Sequence, residues 1–115
     1  MKFLCLVYLA PGGLDGLSPA ERDALDRDSL AYDQQLARDG HFIAASALQP
    51  VDTARTLRNR GGRRQIIDGP FAETKEVLVG FIFVEAAHMD EALRLAAGIP
   101  MARHATIEVR PELEI

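Results

Sequence analysis

Val77-Leu78-Val79-Gly80-Phe81-Ile82-Phe83-Val84-Glu85 is the stretch on which the fold turns. Side chains along a strand alternate between two faces. Here both sets are apolar: Val77, Val79, Phe81 and Phe83 against Leu78, Ile82 and Val84. Such a segment reads as a central strand covered on both sides. Lys2–Leu9 has the same character, with Phe3, Cys5, Val7 and Leu9 against Leu4, Leu6 and Tyr8. His41–Leu48 repeats it with Phe42, Ile43, Ala44, Ala45, Ala47 and Leu48, and Gln49-Pro50 closes it.

Between these strands lie two helical patterns. Ser18-Pro19-Ala20-Glu21 reads as a capping box, with Ser at the N-cap, Pro at N1 and Glu at N3. The helix runs to about Arg38 with an inner face of Leu25, Ser29, Tyr32 and Leu36. Asp39-Gly40 ends it, the glycine free to take a left-handed cap. Met89–Ala97 reads as a second helix, facing inward with Met89, Ala92, Leu93 and Ala96, capped at Gly98 and stopped by Pro100. Thr53–Arg60 and Arg63–Ile67 read as a hairpin turning at Gly61-Gly62. Asp68-Gly69-Pro70 is a second turn signal. Thr106–Arg110 alternates, with Ile107 and Val109 inward.

The order is β-α-β-hairpin-β-α-β. Without the hairpin it is βαββαβ, the ferredoxin-like split βαβ unit, so the expected fold class is α+β with an inserted β-hairpin. In that arrangement two helices cover one sheet face. The other face is open, yet apolar here, and an uncovered apolar face of that size predicts an interaction surface. The expectation is a homodimer through the open sheet face. A hairpin folded over that face is the alternative.

Composition narrows the class. The chain has 115 residues, read as a single domain over residues 1–115, with 13 basic and 17 acidic residues and a net charge of −4. One cysteine excludes a disulfide scaffold. One cysteine and three scattered histidines disfavour structural zinc, and no two histidines have metal-ligand spacing, so no metal is expected. A pI near 5.3 disfavours nucleic acid as a general partner. No apolar run approaches the ~18 residues of a membrane span, and Phe3–Ala10 is too short for a signal-peptide core. The expected location is cytoplasmic, with Cys5 reduced.

Asp68-Gly69-Pro70-Phe71-Ala72-Glu73-Thr74-Lys75-Glu76 resembles the signature of the DGPF-domain branch of the YCII-related protein family. The rest of the chain follows the same plan. Lys2–Tyr8, Leu17–Glu21, Leu48–Pro50, Asp90–Leu93, Gly98–Pro100 and Glu108–Pro111 all match pieces of it. The resemblance implies a dimeric α+β barrel. It also implies two possible roles: cofactor-independent small-molecule chemistry, or accessory function beside a sigma factor. In the wider superfamily a catalytic histidine stands in the first helix, about eleven residues before its closing glycine. Counting back from Gly40 places Ser29 there, and a serine hydroxyl is no acid or base near neutral pH.

The residues that could carry chemistry are few. Asp68 or Glu73 could act as general base or acceptor, and Lys75 as an anion anchor. The alternative is structural: Asp68 caps the turn, Gly69 supplies an unusual backbone angle, and Phe71 plugs the core or a dimer interface. The candidate catalytic residues are Asp68 and His104, the latter because histidine is the usual proton shuttle at neutral pH. The candidate ligand contacts are Asp68, Phe71, Glu73, Lys75, Tyr8 and Ser29. No cofactor motif is present; proton transfer, isomerisation or elimination without a cofactor is the reaction class that fits. His41 and His88 read as structural or surface residues. Arg55, Arg58, Arg60, Arg63 and Arg64 make the hairpin cationic. They either serve an anionic partner or pair with Asp52, Asp68 and nearby glutamates.

Overall fold

The computed structural model describes residues 1–115. The elements follow in the order β1 (Lys2–Leu9), α1 (Pro19–Arg38), β2 (Phe42–Ala47), β3 (Arg55–Arg60), β4 (Arg63–Asp68), β5 (Val77–Glu85), α2 (Met89–Ala97) and β6 (Thr106–Pro111). Short 3-10 turns occupy Val51–Thr53 and Pro100–Arg103. This is a mixed α+β fold with two helices and antiparallel sheets.

β5 and β1 are the two inner strands, in the order β2-β5-β1-β6. Phe3 lies opposite Val84 and Cys5 opposite Ile82. All four therefore point to the face that the helices cover. Phe3, Cys5 and Val84 are fully buried there and pack with Leu36, Ala86, Ala92, Ala96 and Ile99. The register slips between Val7 and Tyr8, opposite the Val79–Gly80 step. At Gly80 the backbone of β2 comes so close that a Cβ would stand 2.8 Å from the carbonyl oxygen of Ser46.

Both helix starts are capped by side chains, reciprocally at α1. Ser18 Oγ accepts from the Glu21 N–H at 3.1 Å, and the Glu21 carboxylate accepts from the Ser18 N–H at 3.0 Å. At α2, His88 Nδ1 accepts from the Glu91 N–H at 3.2 Å, and Glu91 accepts from the Ala87 N–H at 2.9 Å. His88 is thus the N-cap of α2. His41 bonds the Glu85 carbonyl through Nδ1 at 2.8 Å, closing the end of the β2–β5 pair. Besides the packing of Leu25 and Leu36, two polar contacts tie α1 to the C-terminal half of the chain. The Tyr32 hydroxyl donates to the Leu95 carbonyl at 2.6 Å, and Asp28 meets Arg103 at 3.7 Å.

Some expectations are corrected. The first hairpin strand begins at Arg55, not Thr53, because Thr53 Oγ1 donates to the Pro50 carbonyl at 2.7 Å and closes a 3-10 turn. Leu93 is 49% exposed, so the inner face of α2 is Ala92 and Ala96 without it. Pro100 opens a 3-10 turn rather than simply stopping a helix. β3 and β4 pair only with each other as a separate two-stranded sheet. The hairpin does not fold over the open face, and the chain by itself closes no barrel. The reason is geometric: both edges of the four-stranded sheet, β2 and β6, end without a further strand to join them. Leu4, Leu6, Tyr8, Leu78 and Phe83 are left partly or largely exposed on the uncovered face.

Candidate functional site

α1 does not lie flat on the sheet. Leu25 and Leu36 are its only fully buried residues among twenty. Between them the helix stands away and leaves a cleft of about 660 Å³. Its floor includes Val7, Leu9, Val77 and Gly80, and Ile99 and Met101 close one end. α1 contributes Leu25, Asp26, Ser29, Tyr32 and Asp33. The sheet side is apolar apart from Ser46, while the helix side carries two carboxyls and the hydroxyls of Ser29 and Tyr32. Asp26, Ser29 and Asp33 stand at i, i+3 and i+7, the spacing that stacks side chains on one helix face.

No Lys, Arg or His lines the cleft. Its electrostatic character is therefore set by Asp26 and Asp33. Burial raises the Asp33 carboxyl above the ordinary aspartate value. Tyr32 is likewise raised, first by burial and then by Cys5 and Asp39. Burial pushes the Cys5 thiol up to about 11, which leaves it a neutral core group. The two capping carboxyls move the other way. The Ser18 N–H lowers Glu21 and the Ala87 N–H lowers Glu91.

The residues singled out from the sequence are dispersed. Ser29 lines the cleft. Tyr8 points to the opposite, uncovered sheet face. Asp68 ends β4 in solvent, where its carboxylate meets Arg55 at 3.6 Å instead of capping the turn. Gly69 does take the unusual angle, at φ +91°. Phe71 is 77% exposed, so it does not plug the core of its own chain. Glu73 and Lys75 are exposed in the connection to β5, where Thr74 Oγ1 bonds the Glu76 carbonyl at 2.5 Å. His104 is exposed after the Pro100–Arg103 turn, and its charge contributes to the lowering of Glu21. None of these residues joins Ser29 in the cleft. The cleft beneath α1 lies apart from Asp68, Glu73 and Lys75, none of which lines it. Asp26 and Asp33 escaped notice in the sequence; the signal was their spacing from Ser29, three before and four after. No group of three or more His, Cys, Asp or Glu side chains converges as a metal site would require. No helix is long and apolar enough to cross a membrane.

A YCII-related domain matches residues 1–115. An uncharacterised protein of Rhizobium meliloti (strain 1021) is 35% identical over 113 residues, covering 96% of this chain and 91% of the relative. Among solved structures, the 5-chloro-2-hydroxyhydroquinone dehydrochlorinase of Burkholderia phenoliruptrix AC1100, in complex with 2,5-dihydroxybenzoquinone, superposes with a TM-score of 0.57. It shares 20% identity, over 98% of this chain and 94% of that one. At that identity the likeness concerns the fold.

Proposed function

The chain belongs to the YCII-related family, and on that premise we propose that it binds a small, uncharged, partly apolar molecule in the cleft beneath α1. Cofactor-independent catalysis is the chemistry open to such a site. The observation that carries the reading is the cleft itself, about 660 Å³ with an apolar floor and a helix wall bearing Asp26, Ser29 and Asp33. That volume lies within the range of small-molecule sites. Two carboxylates and no cation disfavour an anion, since like charges in a partly desolvated space repel. They favour a ligand that donates hydrogen bonds. The dehydrochlorinase, whose complex holds a dihydroxybenzoquinone, supports a small ring compound on this fold.

Thermal shift tests the reading with hydroquinone, aniline and benzoate as probes. A bound ligand at ten times its Kd adds about 1.4 kcal/mol, roughly 6 °C for a chain of this size. Hydroquinone or aniline should raise Tm, benzoate should not, and Ser29→Phe should abolish the shift by filling the cleft. Equal shifts from benzoate, shifts that survive Ser29→Phe, or no shift from the neutral probes refute it.

The finer assignments rest on the same premise. The Asp68–Glu76 segment supports the DGPF branch. The strand order β2-β5-β1-β6 supports a ferredoxin-like arrangement of one domain over residues 1–115. An unpaired, buried Cys5 supports a cytoplasmic setting. The uncovered side chains Leu4, Leu6, Tyr8, Leu78 and Phe83 support a homodimer through the open sheet face, where two copies would enclose the barrel. The same exposed face favours a second reading, an accessory protein-interaction module such as one acting beside a sigma factor. That reading gains if the neutral probes fail and the wild-type protein is monomeric.

A further inference from the structure

No other strand pairs with β3 or β4, and the Thr56 hydroxyl bond to the Gly69 carbonyl at 2.9 Å stays at the base of the hairpin. A lone two-stranded hairpin is marginal in water, and natural proteins seldom leave one without a surface to rest on. Gly61 and Gly62 hold φ of +57° and +77° in a two-residue turn between Arg60 and Arg63. Those paired positive angles suit a tight hairpin tip. The cross-strand pair Leu57 and Ile66 is 61% exposed on both sides. Phe71, at the base of the hairpin, is more exposed still. The chain as a whole is spread out, with a radius of gyration of 16.1 Å against about 13 Å for a compact chain of this length.

Charge is divided along the same line. Of 13 basic and 17 acidic residues, residues 55–68 hold five and one, a net +4, which leaves eight and sixteen elsewhere, a net −8. Of the five hairpin arginines only Arg55 is in an ion pair. Arg60 and Arg63 stand directly opposite each other, a repulsive placement. Arg58, Arg60 and Arg63 with Gln65 surround a hollow of about 360 Å³.

We propose that the β3–β4 hairpin is an exchanged arm. In the homodimer it lies on the body of a second copy, with Leu57, Ile66 and Phe71 against apolar surface and its arginines against acidic surface. The inference rests on the dimer reading above and goes beyond it. A second copy fits because the two charges complement each other within one sequence. Two bodies of net −8 repel when brought together, and an arm of net +4 laid on each opposite body lowers that repulsion. The body of a second copy also carries exposed apolar side chains outside the sheet face, Leu30 and Leu93 among them, for Leu57 and Ile66 to meet. A nucleic acid would have to approach the acidic body as well.

Sedimentation equilibrium tests the arm. The proteins are wild type, Leu57→Asp/Ile66→Asp, Arg60→Glu/Arg63→Glu, and Phe83→Lys on the sheet face. Each arm variant should raise the dimer Kd at least about tenfold, and the wild-type Kd should rise with added NaCl as screening weakens the charge contacts. Arg60→Glu/Arg63→Glu should lose much of that salt dependence. Both arm variants should keep the wild-type helical circular dichroism, since the replaced side chains are largely exposed and face only each other across the hairpin. Arm variants that dimerise as tightly as wild type, while Phe83→Lys does not, overturn the arm and leave the sheet-face dimer standing. A wild-type protein that is monomeric at micromolar concentration overturns both.

Discussion

Gly98→Ala should destabilise the protein through Tyr32, and the effect should change sign when Tyr32 is removed. Gly98 caps α2 at φ −82°, an angle any residue adopts. Backbone strain is therefore not at issue. Space is: a Cβ at Gly98 would overlap the Tyr32 hydroxyl, with ring Cζ at 2.8 Å and Cε1 at 3.0 Å. The ring must swing aside, and its hydroxyl then leaves the Leu95 carbonyl, now 2.6 Å away. That hydrogen bond is worth about 1 kcal/mol. No orphan penalty is added, because the Leu95 carbonyl keeps the Gly98 N–H at 3.1 Å. Overpacking of this kind costs about 1–3 kcal/mol, and a smaller unfolded-state entropy returns about 0.4–1 kcal/mol. The net loss is about 1–3 kcal/mol. At roughly 4 °C per kcal/mol for a chain of this length, Tm falls by about 4–12 °C. In a Tyr32→Ala background the obstacle is gone, and Gly98→Ala should be neutral or stabilising by up to about 1 kcal/mol. The assay is a double-mutant cycle by urea unfolding, followed by circular dichroism. An equal loss in both backgrounds refutes the argument.

Two further outcomes follow from the titrating groups. Asp33 is raised by burial, so its protonated form favours the folded state; that contribution is present at low pH and lost as pH rises through the folded value. Asp33→Asn should therefore raise Tm relative to wild type at neutral pH, with the gap closing as pH falls towards the ordinary value of 3.8. Glu21 and Glu91 have the opposite sign: their support holds above the usual 4.5 and fades as pH drops through their lowered values. Glu21→Gln, which removes the titrating carboxylate, should flatten the acid limb of the Tm curve; an unchanged limb counts against the cap. Cys5, fully buried with its thiol pushed up to about 11, should resist a disulfide reagent at pH 8 until urea unfolds the chain. Rapid reaction in the native state contradicts the burial.

Much of the body was legible because its signals are local or strictly periodic. Long two-sided apolar runs marked the strands of the main sheet, and β5 and β1 are its inner pair, while β2, with the same character, is an edge strand. Ser18, Pro19 and Glu21 fix a helix start through bonds spanning three residues, which sequence displays directly. Gly61-Gly62 fixed the hairpin tip for the same reason, since paired positive φ angles leave few alternatives. What the same signals did not carry was where the hairpin goes. The register of β3 on β4 is internal to the pair, and nothing in it states which surface the pair meets. Five arginines read equally well as partners for nearby carboxylates or as a free cationic surface; only Arg55 found a carboxylate.

The cleft was hidden for a different reason. An inner helical face of Leu25, Ser29, Tyr32 and Leu36 looks like a continuous packing stripe when spacing alone is read. Packing is decided by size as well as by spacing. Leu25 and Leu36 reach the core, and Tyr32 reaches across to Leu95, so α1 is propped at both flanks of Ser29. The serine in the middle is too short to fill the distance those three larger side chains impose. Asp26 and Asp33 border that gap from either side and resist being drawn into an apolar floor, since a carboxylate without a partner is costly to desolvate. The hollow is thus the consequence of one small residue among large ones, kept open by two charges. It follows that Ser29, the position where the family resemblance leads a histidine to be expected, is here the position that creates the volume. The chemistry of the cleft then depends less on Ser29 as a reagent than on the space it leaves beside Asp33.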